Sequence, residues 1–286
     1  MNHQFHRDRQ GGSMVVSQNK TWICILTVFF ISIILTTNVI AQQVPKEKTG
    51  SKITNGYELI KAMKAKYEGK WFKAITIEQK MTYYAPDGKE SFSQTSNEVV
   101  QLPGKVRITF GEPKNKNYEI YVNDTFYTYE RGVLKQETRQ IHNVLVLGFD
   151  VYVQNPEKTS AQLKGASFDL GILRETTWQG HSVYVVGARE GDLYTNQFWV
   201  DKEYLYCLRI VYNTQQKSLI HIEFNNYKSL GGGWIATQLI FKQNGLKKIQ
   251  EDYIKYSIPD KIDPKLFEIK KKSGNIYLQK FVYGLV

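Results

Sequence analysis

Alternation of apolar and polar residues dominates the chain beyond residue 70 and predicts β-strands. In a clear example, Val106, Ile108 and Phe110 alternate with Arg107 and Thr109. Turn sequences such as Asn-Asp, Arg-Gly and Asn-Gly separate about a dozen such runs. This pattern predicts a mainly β (α+β) fold, with a large curved antiparallel sheet that forms an incomplete barrel and buries its concave face.

Before the strands, the apolar residues have the spacing that is typical of a helix. Asn55 and Glu58 have the spacing of a capping box, and Ile60, Met63 and Tyr67 follow on one face. These positions predict an amphipathic N-terminal helix of about four turns.

A second break in the alternation begins near residue 141. Residues 141–153 are strongly apolar, and Pro156 then opens a polar stretch that runs to about residue 164. We expect this segment to be a short helical insertion. Like the N-terminal helix, it would pack in or over the concave face, where an apolar cavity is the expected site.

The first residues have the layout of a secretory signal peptide. Basic residues precede an apolar run over 22–35, and small or β-branched residues end at Ala41. Cleavage there would release a periplasmic protein. The uncharged stretch is also long enough to span a bilayer, so an anchor in the inner membrane is the alternative. Met14 is a possible second start.

Composition narrows the class of protein further. The 286 residues carry a formal net charge of +11, and all 19 tyrosines follow the leader. Cys24 lies within the leader and Cys207 beyond it, so we expect no intrachain disulfide. The positive charge could attract an anionic membrane or an acidic partner, or could form a solvated surface. Nucleic-acid binding is not expected, because no sequence motif for it accompanies the charge.

Residues with catalytic chemistry are scarce. No nucleophile or zinc-protease motif occurs, and His221 and Glu223 have no identifiable third partner for a metal. Cys207 lies inside a strand run and is expected to be buried and inert. We therefore expect no enzyme activity, no cofactor and no metal.

Several stretches resemble a known superfamily. Residues 101–110 (Gln-Leu-Pro-Gly-Lys-Val-Arg-Ile-Thr-Phe) are followed by Glu112-Pro113 and by the tyrosine-rich residues 123–129. Residues 177–187 lead to the Phe-Trp-Val-Asp of 198–201. Together they are similar to the outer-membrane lipoprotein carrier and lipoprotein-sorting (LolA/LolB-like) superfamily. Leu102 replaces a basic residue that is usual in the carriers, so the chain resembles a divergent, sorting-type relative.

The resemblance implies a periplasmic carrier that binds acyl chains of a lipoprotein, or another lipid, without covalent chemistry and sorts lipoproteins to the outer membrane. It implies inner- and outer-membrane sorting partners and a monomeric protein. Candidate ligand-binding residues are Ile60 and Met63 on the lid helix and Val106, Ile108 and Phe110 on the cavity wall. The same five apolar residues would also be expected if they only packed in an ordinary hydrophobic core and bound no ligand.

The expected domain organisation is a signal peptide (1–41), a linker (42–53), a half-barrel domain (54–260) and a basic C-terminal extension (261–286). Two alternatives to the carrier remain open. One is a periplasmic interaction module that binds a protein partner, and the other is a membrane-tethered lipid receptor of the same fold.

Overall fold

The computed structural model describes residues 52–214 and 216–270. The predicted signal peptide, the linker up to residue 51 and residues 271–286 of the basic extension lie outside the described residues.

Thirteen strands form one antiparallel sheet, which confirms the predicted fold class. The strands of the first half are β1 (Ala74–Tyr84), β2 (Glu90–Gln101), β3 (Lys105–Phe110), β4 (Tyr118–Val122), β5 (Thr125–Glu130) and β6 (Val133–Arg139). Those of the second half are β7 (Leu173–Trp178), β8 (His181–Val186), β9 (Gln197–Asp201), β10 (Cys207–Asn213), β11 (Leu219–Leu230), β12 (Gly233–Gln243) and β13 (Leu246–Ser257).

The sheet consists of two meanders joined by its first and last strands. Within each half, strands that are consecutive in sequence are neighbours, and β1 pairs with β13 between the halves. The order ends with β6 on one side and β7 on the other, so the barrel stays open between them. The β1–β13 pairing is the long-range contact on which the single sheet depends.

The N-terminal helix α1 (Gly56–Tyr67) begins as its capping sequence predicts. The Asn55 side chain accepts a hydrogen bond from the backbone N–H of Glu58 at 3.0 Å. The Glu58 carboxylate accepts from the backbone N–H of Thr54 at 2.7 Å, one residue earlier than in a standard capping box. These bonds satisfy N–H groups that the helix itself leaves unpaired.

The insertion between β6 and β7 is helical, as predicted. It contains α2 (Asn143–Gly148), a 3₁₀ turn (Asp150–Tyr152) and α3 (Pro156–Gly165). Its apolar side chains belong to the main core together with those of α1 and the inner face of the sheet. The insertion therefore fills the concave side.

Three consecutive glycines, Gly231, Gly232 and Gly233, lie at the β11–β12 hairpin. Gly232 has a φ of +81°, and a Cβ atom there would lie 2.5 Å from the carbonyl oxygen of Lys70. A Cβ atom on Gly233 would lie 2.6 Å from the Trp71 indole. The glycines are explained by this close packing of the hairpin against the segment after α1.

The chain after β13 returns to the outer face of the first half of the sheet. A 3₁₀ turn (Pro264–Phe267) places Phe267 in a buried cluster with Tyr118, Ile120 and Tyr129. The Tyr129 hydroxyl accepts a hydrogen bond from the backbone N–H of Lys270 at 3.0 Å. Residues 264–270 thus cover outward-facing aromatic rings.

Candidate functional site

The five candidate ligand-binding residues lie in one apolar core on the concave side. Ile60 and Met63 of α1 are fully buried, and Val106 of β3 is buried at 2 % exposure. Ile108 and Phe110, farther along β3, are half-buried and pack against the same core. The structure therefore brings the lid and wall residues into one cluster, and leaves part of the wall reachable by solvent.

Polar contacts hold α1 across the sheet. The Gly56 backbone N–H donates to the carbonyl oxygen of Leu170 at 2.8 Å, and Lys66 Nζ donates to the carbonyl oxygen of Glu203 at 2.7 Å. The Tyr67 hydroxyl donates to the carbonyl oxygen of Tyr204. Contacts at both ends of the helix fix it over the concave face.

The helical insertion is fastened to two turns of the first half. Asp150 Oδ1 accepts from the backbone N–H of Gly104 at 3.0 Å, and Gln162 Nε2 donates to Asp124 Oδ1 at 2.9 Å. Burial raises the pKa of the Asp150 carboxyl to about 7, and the carboxylate of Asp124 adds to that rise. The attachment thus includes a carboxyl group that titrates near neutrality.

His142 lies at the start of the insertion, in a site that the sequence did not reveal. Its imidazole contacts the rings of Tyr121 and Phe126, and its Nδ1 accepts from the backbone N–H of Leu145 at 3.3 Å. Burial lowers the pKa of His142 to about 4. The ring is therefore neutral at physiological pH and acts as a helix cap.

Among residues 52–214 and 216–270, the cavity found beneath the helices is small. A cavity of about 10 Å³ lies between α2 and the second half of the sheet, lined by residues that include Gly148, Phe149, Phe224, Leu239 and Tyr253. This space accommodates about one water molecule. An acyl chain would enter only if the helices moved.

A second feature of the inner face is polar. Gln79 on β1 lies directly between Ser96 on β2 and Tyr253 on β13. The alternation of the strands places Glu98 and Glu251 on the same face, each two residues from this row. Gln79 and Ser96 are fully buried, and neither side chain has a hydrogen-bond partner.

Burial raises the pKa of Glu98 to about 7 and that of Glu251 to about 8. The nearby charge of Glu98 contributes to the shift of Glu251. The sequence places Gln79 on the apolar face of its strand, but the convergence of β2 and β13 on β1 was not predictable from local pattern.

The remaining candidate groups have structural partners. Cys207 is buried, and burial raises the pKa of its thiol. His221 lies 3.1 Å from the Arg209 guanidinium, and Glu223 pairs with Lys242 at 2.6 Å. Across residues 52–214 and 216–270, no group of three or more histidine, cysteine, aspartate or glutamate side chains is arranged to hold a metal ion.

None of the helices in the described ranges combines the length and the hydrophobicity needed to cross a bilayer.

Comparison with solved structures identifies the architecture. An outer-membrane lipoprotein-sorting protein domain from Vibrio parahaemolyticus aligns with a TM-score of 0.50 and 16 % identity, covering 74 % of this chain and 95 % of that one. A DUF1329 family protein from Desulfovibrio piger aligns with a TM-score of 0.49 and 15 % identity, covering 74 % of this chain and 95 % of that one. A LolA superfamily protein from Nitrosomonas europaea aligns with a TM-score of 0.49 and 15 % identity, covering 73 % of this chain and 97 % of that one.

No protein-family model matches the sequence, and no curated protein matches it either. The fold places this chain among proteins built as an open antiparallel barrel with helices on its concave side. This is the fold of the lipoprotein-sorting domain from Vibrio parahaemolyticus. The predicted architecture, an incomplete antiparallel barrel with helices on its concave side, is thereby confirmed as a fold.

Proposed function

We propose that this protein is a periplasmic lipid carrier that binds acyl chains of a lipoprotein, or of another lipid, against the concave face of its sheet. The observation that supports this proposal is the continuous apolar core shared by α1, the insertion and the inner face of the sheet. Binding is non-covalent and needs no cofactor or enzymatic step. Sorting of lipoproteins to the outer membrane, with partners at both membranes, is the process that this fold supports best.

In this proposal α1 and the insertion together act as a lid. Because the cavity holds about 10 Å³, the lid side chains occupy the volume that acyl chains would take. Ile60 and Met63 would leave the wall when cargo enters, and the half-buried Ile108 and Phe110 would meet it first. The polar contacts of Gly56, Tyr67 and Asp150 would close the lid again after release.

Lipid extracted with the protein purified from its native host, and identified by mass spectrometry, tests the proposal. We expect acyl-containing lipid in the wild type and clearly less in Ile108→Gln, because a polar side chain on the wall disfavours apolar cargo. Thr109→Gln, on the other face of β3, is the matched control and should retain the lipid. Repeated purification of lipid-free wild type would refute the carrier.

Export follows the predicted leader, with cleavage after Ala41 giving a protein that diffuses through the periplasm. An uncleaved leader would instead give a tethered lipid receptor. The intact mass of the protein purified in the same experiment distinguishes these two forms.

A periplasmic interaction module is the second candidate, and two observations favour it. The interior is nearly filled, and exposed apolar side chains gather near the turns at one end of the sheet. Phe92, Val133, Leu193, Tyr194 and Leu246 lie in or beside those turns. Lipid-free protein that purifies with a stoichiometric protein partner would support this candidate over the carrier.

A further inference from the structure

The polar group on the inner face consists of Gln79, Ser96, Glu98, Glu251 and Tyr253, and its composition is unusual for a core. Gln79 is fully buried, and both Oε1 and Nε2 of its amide lack a hydrogen-bond partner. Ser96 Oγ, directly across on β2, is also buried without a partner. Leaving buried polar groups unpaired costs free energy, so a ligand that forms hydrogen bonds with them would be stabilised at this position.

Two carboxyl groups adjoin this row from opposite sides. Glu98 lies on β2, two residues from Ser96, and Glu251 lies on β13, two residues from Tyr253. Burial raises the pKa of the Tyr253 hydroxyl, and the nearby Glu98 and Glu251 add to that rise. Glu98 also adds to the raised pKa of Glu251, so the three groups lie near one another. None of the salt bridges among the described residues includes Glu98 or Glu251.

The surroundings of these groups are apolar. Ile77 is opposite Glu98, Met81 is opposite Glu251, and Phe110 is opposite Ser96. Leu239, which pairs with Glu251 across β12 and β13, lines the small cavity together with Tyr253. A ligand that fits must therefore combine a hydrogen-bond-donating cationic group with hydrocarbon.

We infer that this polar group binds the primary ammonium head of an aminolipid whose chains lie along the apolar inner face. An ammonium group has three N–H donors, and the two carboxylates and Gln79 Oε1 supply three acceptors. Its charge also favours the ionised form of both carboxyl groups, which burial alone disfavours. The inference rests on the proposed lipid-carrier function and specifies the chemistry of the cargo.

Calorimetric titration of the full chain with three amphiphiles of equal length tests the inference. The probes are dodecylammonium, dodecanol and dodecanoate, each kept below its critical micelle concentration. We expect dodecylammonium to bind about tenfold or more tightly than dodecanol, as a charge-assisted hydrogen-bonded site allows. The net charge of +11 repels cations in general, so non-specific attraction would favour dodecanoate instead.

The double variant Glu98→Gln/Glu251→Gln should lose this preference while it binds dodecanol as the wild type does. Glu78→Gln, on the other face of β1, is the matched control and should keep the preference. If the double variant fails to fold, the single variants Glu98→Gln and Glu251→Gln replace it, and each should lose part of the preference.

Equal affinity of the wild type for dodecylammonium and dodecanol would overturn the ammonium site and leave the carrier intact. The same conclusion would follow if the preference persisted undiminished in the carboxyl variants. Failure of all three amphiphiles to bind would refute the carrier proposal itself, and the ammonium site with it.

Discussion

At the scale of single residues, Gly56 shows how closely α1 approaches the sheet. A Cβ atom at this position would lie 2.7 Å from Val186 Cγ1 and 3.1 Å from the Cα atom of Leu170. The backbone N–H of Gly56 also donates to the Leu170 carbonyl. The start of α1 is thus held against the backbone before β7, where little adjustment is possible.

We predict that Gly56→Ala lowers the free energy of unfolding by about 1–3 kcal/mol, because the added methyl group overpacks this contact. Denaturant unfolding measures the change. Gly165→Ala is the matched control, since nothing lies within 4 Å of its Cβ position at the end of α3, and it should be neutral or slightly stabilising. Equal stability of the two variants would contradict the close docking of α1.

The sequence already placed several of these residues correctly. Asn55 and Glu58 predict the start of α1, because a capping interaction involves only nearby residues. Alternation alone puts Gln79 on the same strand face as Ile75 and Ile77. That Gln79 lacks a partner there was not predictable, because its neighbours come from β2 and β13.

At the scale of elements, the helical insertion is connected to the β2–β3 turn through Asp150. Burial raises the pKa of this carboxyl to about 7, helped by Asp124 and opposed by Gly104 N–H and Lys158. The folded state therefore retains a proton that the unfolded chain has already lost. The contribution of Asp150 to stability is complete below about pH 4 and decreases as the pH rises through 7.

We predict that Asp150→Asn is increasingly stabilising, relative to the wild type, as the pH rises from 5 to 8. The expected change in relative unfolding free energy is about 2 kcal/mol, because the carboxamide still accepts from Gly104 and never ionises. Denaturant unfolding at several pH values measures it. Asp260→Asn, an exposed control, should show no such trend, and a flat difference for Asp150→Asn would contradict the assignment.

Element types were predictable for a local reason. Alternation indicated the strands, and the break in alternation near residue 141 indicated the insertion, because both depend on which neighbours share a face. The sequence predicts that the insertion packs in or over the concave face, but it does not predict the turns to which the insertion is attached. The hydrogen bonds between Asp150 and Gly104 and between Gln162 and Asp124 join residues that are far apart in the sequence, so no short-range pattern predicts them.

At the scale of the whole molecule, Cys207 can report whether the lid opens separately from the sheet. The thiol is buried on β10. Burial raises the pKa of the Tyr152 hydroxyl in the insertion, and the nearby Cys207 adds to that rise. Tyr152 in turn stacks on Trp71 with ring centroids 3.8 Å apart. Movement of these rings would expose the thiol.

We predict that a disulfide reagent labels Cys207 in native conditions faster than global unfolding allows, because the lid opens at a lower free energy than the sheet. Labelling rates across denaturant concentration, in a Cys24→Ser background, measure this. In the control Cys207→Ala/Val185→Cys, the thiol lies on the outer face of β8 and should react through global unfolding alone. Identical behaviour of both thiols would show that the lid does not open independently.

The sequence by itself determined the mainly β fold, the two helical breaks and which side chains within a strand share a face. These properties depend on backbone geometry and on neighbours within a few residues. Tertiary structure alone decided that β1 pairs with β13, that the cavity found beneath the helices is only about 10 Å³, and that Gln79, Glu98 and Glu251 lie near one another. The physical reason is that distant parts of the chain supply the neighbouring side chains. Those neighbours determine how much space remains in the interior and whether a buried polar group finds a hydrogen-bond partner.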